Sequence, residues 1–119
     1  MIDTTLGDIM ENLDRFSWKD WVFIQIEEKI SSSSRCLVID TNEAELGSDN
    51  FTPLAAERLG MKEFLSIQDL QGVLKYLAHY QTNASTAAKC AAATYYFEYD
   101  AFMPSEMLNR AGFAGGSNS

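Results

Sequence analysis

The sequence is poor in the residues that most often build catalytic and metal sites. Its 119 residues include two cysteines, Cys36 and Cys90, and one histidine, His79. Two cysteines are too few for a disulfide scaffold, and neither lies at a metal-ligand spacing, so we expect two buried free thiols. A single histidine with no nucleophile motif or phosphate-binding glycine loop does not assemble an active site. We therefore predict a protein that is not an enzyme and has no catalytic residues, no metal and no cofactor.

Long apolar runs are also missing. No stretch of the sequence approaches the ~18 apolar residues that a membrane-spanning helix needs. Residues 1–14 are acidic and amphipathic, whereas a secretory signal has a basic start and an unbroken apolar segment. These two absences predict a cytoplasmic protein that makes no membrane contact.

Basic residues are scarce relative to acidic ones. There are 9 Lys and Arg residues against 17 Asp and Glu residues, which gives a formal net charge of −8. Residues 1–60 contain 12 of the acids and 5 of the bases, so the excess negative charge belongs to the first half of the chain. Nucleic acid phosphates would be repelled by such a protein, and we expect no direct nucleic acid partner. The charge serves either solubility alone or binding to a basic protein.

The apolar residues that are present follow helical and strand periods. Runs of aromatic and β-branched residues predict strands over 20–26 and 36–40, and residues 63–66 are a third candidate strand. Apolar residues at the helical period predict helices over 5–16, 53–59, 67–81 and 86–100. The sequence thus predicts one α+β domain over residues 1–111, with a small antiparallel sheet packed against about four helices. The glycines and serines of residues 112–119 predict a flexible tail.

The helices predicted over 67–81 and 86–100 carry most of the apolar surface. Ser66 and Ser85 precede them as N-caps. The first has an apolar stripe at the helical period, formed by Leu70, Val73, Leu74 and Leu77. The second begins with small residues and continues into five aromatic ones, Tyr95, Tyr96, Phe97, Tyr99 and Phe102. Aromatic rings bury large apolar areas, so we expect these five to pack in the core.

Carboxylates cluster around the two predicted strands and their loops. They are Glu27, Glu28, Asp40, Glu43, Glu45 and Asp49. The loop after residue 39 does not match a calcium-binding loop, because its glycine is eighth from Asp40 rather than sixth. We interpret the carboxylates as a surface that meets a cationic partner. The competing candidate is an aromatic anchor on the outer face of the helix over 67–81, formed by Tyr76, His79 and Tyr80, with the acids as its rim.

Several segments, taken in order along the chain, carry a resemblance to a known family. They are Trp18 to Phe23, Cys36-Leu37-Val38-Ile39-Asp40, the acidic loop, Ala56 to Gly60, Ile67-Gln68-Asp69-Leu70-Gln71 and Tyr95-Tyr96-Phe97-Glu98-Tyr99-Asp100-Ala101-Phe102. In this order the chain resembles small acidic bacterial proteins of the toxin-immunity type, several of which are encoded beside polymorphic toxins, including those of contact-dependent growth inhibition. The resemblance covers residues 6–103, and its most specific part is the closing Tyr-Tyr-x-x-x-Asp-Ala-Phe.

The resemblance implies an immunity protein. Such a protein binds a cognate basic toxin domain, here expected to be a nuclease and specifically an RNase, and neutralises it by covering its cationic active site. The alternative is a non-enzymatic structural or adaptor protein whose acidity serves solubility only.

Overall fold

Four antiparallel strands form the centre of the computed structural model, which describes residues 1–26, 29–48 and 52–104. The strands are β1 (Ile2–Thr5), β2 (Trp21–Ile24), β3 (Arg35–Ile39) and β4 (Lys62–Ser66), and they lie in the order β1-β3-β2-β4. The α-helices of the described residues are α1 (Leu6–Glu11), α2 (Leu54–Arg58), α3 (Ile67–Ala78) and α4 (Thr86–Tyr99), and a short 3₁₀ helix over Leu13–Arg15 follows α1. The predicted α+β fold is confirmed, and so is the third candidate strand.

Both faces of the sheet are covered. One face packs against α1, α3 and α4 and contributes Val22, Ile24, Cys36 and Val38 to the main core. The opposite face packs around α2 and the loop before it, and contributes Phe23, Leu37 and Ile39 to a second core with Ala56 and Met61. Side chains alternate along a strand. A strand covered on both faces therefore needs a continuous apolar run, which β3 has over residues 36–39.

The two long helices begin where the sequence indicates. The Ser66 hydroxyl accepts a hydrogen bond from the Asp69 N–H at 3.0 Å, and the Ser85 hydroxyl accepts one from the Ala88 N–H at 3.1 Å. The apolar stripe of α3 faces the core, with Leu70 fully buried. α4 ends at Asp100, which has a left-handed backbone with φ of 53° and closes the helix as its C-cap.

The first segment differs from the prediction of one helix over 5–16. Residues 2–5 are strand β1, and α1 spans only Leu6–Glu11 before the chain tightens into the 3₁₀ turn. The predicted apolar face is nevertheless buried, because the apolar residues of α1 and of the turn contribute to the same main core. Gly7 lies at a close approach, since a Cβ on it would lie 3.0 Å from the Ser32 carbonyl oxygen and 3.1 Å from Thr86 Cγ2, and these neighbours would have to shift.

The aromatic residues of α4 are not all in the core. Tyr95, Tyr96 and Phe97 are partly buried against the main core, and the Phe97 ring lies 4.9 Å from that of Phe64. The prediction is wrong for Tyr99, which is 64% exposed, and for Phe102, which is 42% exposed. α4 buries its small face instead, formed by Ala88, Cys90, Ala92 and Ala93. Tyr99 belongs to the last turn and packs on Tyr95, with ring centroids 4.4 Å apart.

The two cysteines are free and buried, as predicted. Burial is the main cause that raises the pKa of the Cys36 thiol to about 12 and that of the Cys90 thiol to about 11. The thiolate is the reactive form of cysteine. Both thiols are therefore protonated and inert at neutral pH.

A pair of polar contacts joins α1 to α4 and predicts a pH-dependent stability. Thr86 Oγ1 donates a hydrogen bond to Glu11, and Lys89 Nζ lies 2.9 Å from Glu11 Oε1. These contacts, Thr86 first, lower the pKa of Glu11 below its ordinary value of 4.5. We expect Glu11→Gln to lower the free energy of unfolding by ~0.5 kcal/mol at neutral pH, a small value because the pair is partly exposed.

A depressed carboxylate pKa stabilises the fold above the unfolded-state pKa, and this contribution is lost as the pH falls through the lower folded-state pKa. The difference between wild type and Glu11→Gln, measured by urea unfolding, should thus shrink toward zero in acid. Asp14→Asn is the control, since Asp14 is exposed and has no ion pair in the described residues. A difference that stays the same at neutral and acid pH would contradict this assignment.

Candidate protein-binding surface

Three of the predicted acids line one cleft. Asp40, Glu43 and Glu45 surround a cavity of about 430 Å³ on the α2 side of the sheet. Arg58 also lines it, and the apolar part of its lining is Met1, Ile39, Ala44, Pro53, Leu54 and Ala55. We call this feature the acidic cleft. Glu27, Glu28 and Asp49, the other three predicted acids, lie outside the described residues.

Local hydrogen bonds fix the backbone that carries these acids. β3 ends at Ile39, and the Asp40 carboxylate then accepts the Asn42 N–H at 3.0 Å while the Asp40 carbonyl accepts the Glu43 N–H at 3.1 Å. Such turns are typical of aspartate, which accepts hydrogen bonds from the backbone two residues on. Farther along, the Leu54 N–H donates to the Glu45 carbonyl at 2.7 Å. The loop is therefore tied to β3 at one end and to α2 at the other.

In the described part of the chain, the acids of the cleft have no cationic partners. Among the residues that the structure describes, no ion pair within 4.0 Å involves Asp40, Glu43 or Glu45. Arg58 is the one base in the lining. Three carboxylates beside one guanidinium leave the cleft negative, and charges of this kind attract cations.

Other acids within residues 1–60 already have a hydrogen-bond or ion-pair partner. Arg35 Nε lies 3.0 Å from Asp3 Oδ1, and this contact lowers the pKa of Asp3. Glu11 is paired with Lys89 as described above. The Glu57 carboxylate accepts hydrogen bonds from the Ser48 N–H and hydroxyl at 3.0 and 2.8 Å. Sequence counting could not separate these engaged acids from the free ones, because the partners are distant along the chain.

The predicted aromatic residues form a second surface feature. Tyr76 stacks on Phe102 with ring centroids 4.6 Å apart and contacts Tyr80 at 5.2 Å. His79 meets Tyr80 edge-on at 6.5 Å. Tyr80 and Phe102 are 41% and 42% exposed, and burial raises the pKa of Tyr76. We call Tyr76, His79, Tyr80 and Phe102 the aromatic cluster; sequence reasoning missed Phe102 as a member.

The two features lie on opposite sides of the sheet. The aromatic cluster belongs to α3 and the segment after α4, which pack on the main-core face, whereas the acidic cleft lies on the α2 face. One contiguous patch does not include both.

Two further features bear on the kind of site. No group of three or more His, Cys, Asp or Glu side chains within residues 1–26, 29–48 and 52–104 could hold a metal ion. None of the helices in the same part of the chain is long and apolar enough to cross a membrane.

Comparison with known proteins identifies the family. Residues 2–105 match the model of a domain of unknown function, DUF7716. The chain belongs to the DUF7716 family. The match runs from the first residue of β1 to beyond α4, so the fold, the aromatic cluster and all of the acidic cleft except Met1 lie within the family's domain. No curated protein and no solved structure matches the chain.

Proposed function

We propose that this member of the DUF7716 family is an immunity-type inhibitor that binds a basic toxin domain and covers its cationic active site. The observation that carries the proposal is the acidic cleft, where three carboxylates have no ion pair among the described residues. The resemblance noted in the sequence points to the same class of protein.

The physical argument starts from the partner. An enzyme that cuts RNA or DNA must present cationic side chains to phosphates. A negative cleft can attract those side chains, raise the association rate and exclude the substrate from the same surface. The apolar floor of the cleft, Ile39 and Leu54, can contact the methylene stem of a Lys or Arg side chain whose charged end meets the carboxylates. The proposal places the protein in the cytoplasm, with a nuclease, specifically an RNase, as the toxin.

The aromatic cluster favours a second candidate function. Its half-exposed rings, Tyr80 and Phe102, are the kind of side chain that anchors protein interfaces. A non-enzymatic adaptor would bind through this cluster, and its acidity would serve solubility. The two functions differ in the salt dependence of binding, because only charge-driven association weakens strongly with ionic strength.

The proposed function is tested by co-expression with a toxin. The natural candidate is the C-terminal domain of a large secreted protein encoded by a neighbouring gene. Cells that express this domain should survive only when they also express the full chain, and a catalytically inactive form of the domain should bind the purified chain. Capture of the neighbouring domain without survival, or survival without binding, would rule out inhibition by direct contact.

A further inference from the structure

The pairing of β1 with β3 fixes which backbone groups of β1 point toward β3 and which point away from the sheet. The Leu6 N–H donates to the Ser34 carbonyl at 3.0 Å, on the same register that pairs Ile2 with Val38. Bonded and non-bonded pairs alternate along an antiparallel ladder. Ile2 and Thr4 therefore direct their backbone N–H and C=O groups toward β3. Asp3, the residue between them, directs its own groups away from the sheet.

These outward groups have no partner among residues 1–26, 29–48 and 52–104. Outside the helices and the sheet, the backbone hydrogen bonds of the described residues include none that uses the N–H or C=O of Asp3 or the N–H of Thr5. The side chains of both residues are exposed. β1 is the edge strand of the sheet, and of the described elements only β3 and α1 contact it extensively. Proteins usually protect such an edge because it can pair with another chain.

The open edge leads into the acidic cleft. The register that pairs Ile2 with Val38 places Met1 beside Ile39, and both residues line the cleft. Met1 is 77% exposed and Ile2 is 39% exposed. The outward backbone groups of Asp3 are therefore followed by the exposed side chains of Ile2 and Met1, and Met1 lies at the cleft that the carboxylates line.

We propose that an extended, basic segment of the partner adds to the sheet along β1 and places a Lys or Arg side chain in the acidic cleft. This inference rests on the proposed function and specifies how the partner is recognised. Backbone pairing supplies affinity in this mode, and alternate side chains supply specificity.

The geometry specifies the sequence pattern of that segment. If the segment pairs antiparallel with β1, the side chain of its residue opposite Asp3 lies on the α2 side of the sheet. The next residue lies opposite Ile2, and its side chain is on the main-core side. The residue after that lies opposite Met1, at the rim of the cleft. The segment should therefore have a basic residue at this third position and an apolar residue before it.

A proline substitution tests the backbone contact. Asp3→Pro removes the outward N–H and keeps the β1–β3 ladder, since proline is tolerated where the N–H of an edge strand faces solvent. Asp3→Ala is the matched control, because it also loses the ion pair with Arg35 but keeps the N–H. We expect Asp3→Pro to bind the inactive toxin domain about tenfold or more weakly than Asp3→Ala at equal melting temperature. Equal binding by the two variants would overturn the inference and leave the proposed function standing.

A peptide probe tests the same contact without a toxin. We would titrate the wild-type chain with a synthetic peptide of alternating Arg and Val, and with its Glu and Val counterpart, and record the backbone amide spectrum by NMR. The basic peptide, but not the acidic one, should shift the amide signals of Asp3 and Thr5 and slow the exchange of these amides with water. No shift at these amides up to millimolar peptide would overturn the inference, whether or not the chain protects cells. Shifts at these amides without protection would instead count against the proposed function only. If Asp3→Pro fails to fold, this titration decides.

Discussion

Replacing Phe64 by alanine should lower the free energy of unfolding by about 4 kcal/mol. Phe64 is 3% exposed, lies in β4 and packs its ring 4.9 Å from that of Phe97 on α4. Removing the ring takes away buried apolar area and leaves a cavity between the sheet and α4. The neighbouring strand and helix cannot close this cavity without losing their other contacts. Urea unfolding monitored by circular dichroism measures the effect.

Glu63→Ala is the matched control for this substitution. Glu63 is the preceding residue of the same strand, is exposed and has no ion pair in the described residues. A surface truncation of this kind usually changes stability by less than about 0.5 kcal/mol. If Phe64→Ala were as mild as Glu63→Ala, the packing of α4 on β4 would be wrong.

Reversing the charge of the acidic cleft should abolish binding to a basic toxin domain. The double substitution Glu43→Lys and Glu45→Lys changes two exposed side chains that make no side-chain hydrogen bond or ion pair in the described part of the chain. Close charge pairs at interfaces are worth ~1.5 to 7 kcal/mol, so the loss should exceed about a hundredfold in affinity. The stability of the fold should hardly change, because exposed charges contribute little to it.

A second double substitution separates the site from the net charge. Asp14→Lys with Glu98→Lys changes the net charge equally, at exposed positions that do not line the cleft. The association rate, measured by stopped flow at low and high salt, should fall strongly for the cleft variant and only slightly for the control. If the association rate falls equally for both variants, net charge alone drives binding. If the association rate falls for neither variant and does not depend on salt, the aromatic cluster becomes the surface to test, beginning with Tyr80→Ala.

The sequence indicated the elements that have a strong local signal. α3 has a serine cap and an apolar stripe within itself, so its neighbours were not needed to place it. β1 had no such signal: its four residues include Asp3, Thr4 and Thr5, and only pairing with β3, some thirty residues later, makes them a strand. An edge strand of this kind is defined by its partner, and the partner is not visible in the local sequence.

The candidate site was predictable in kind but not in arrangement. Residue type and density identified Asp40, Glu43 and Glu45 as acids on a loop. The cleft also needs Met1 and Arg58, which lie far apart along the chain and meet through the β1–β3 pairing and the packing of α2. Phe102 was assigned to the core because it continues an aromatic run. The chain leaves the helix at Asp100, however, and carries the ring out to stack on Tyr76 at the surface.

The contact between α1 and α4 has a consequence for synthesis on the ribosome. α1 is the first described helix, and its fully buried apolar residues Leu6, Ile9 and Met10 belong to the core against which α4, the last described helix, packs beside it. Translation proceeds at about 5–20 residues per second, so this apolar face is made several seconds before its cover. The nascent chain therefore cannot complete its main core until residue 99 has left the exit tunnel.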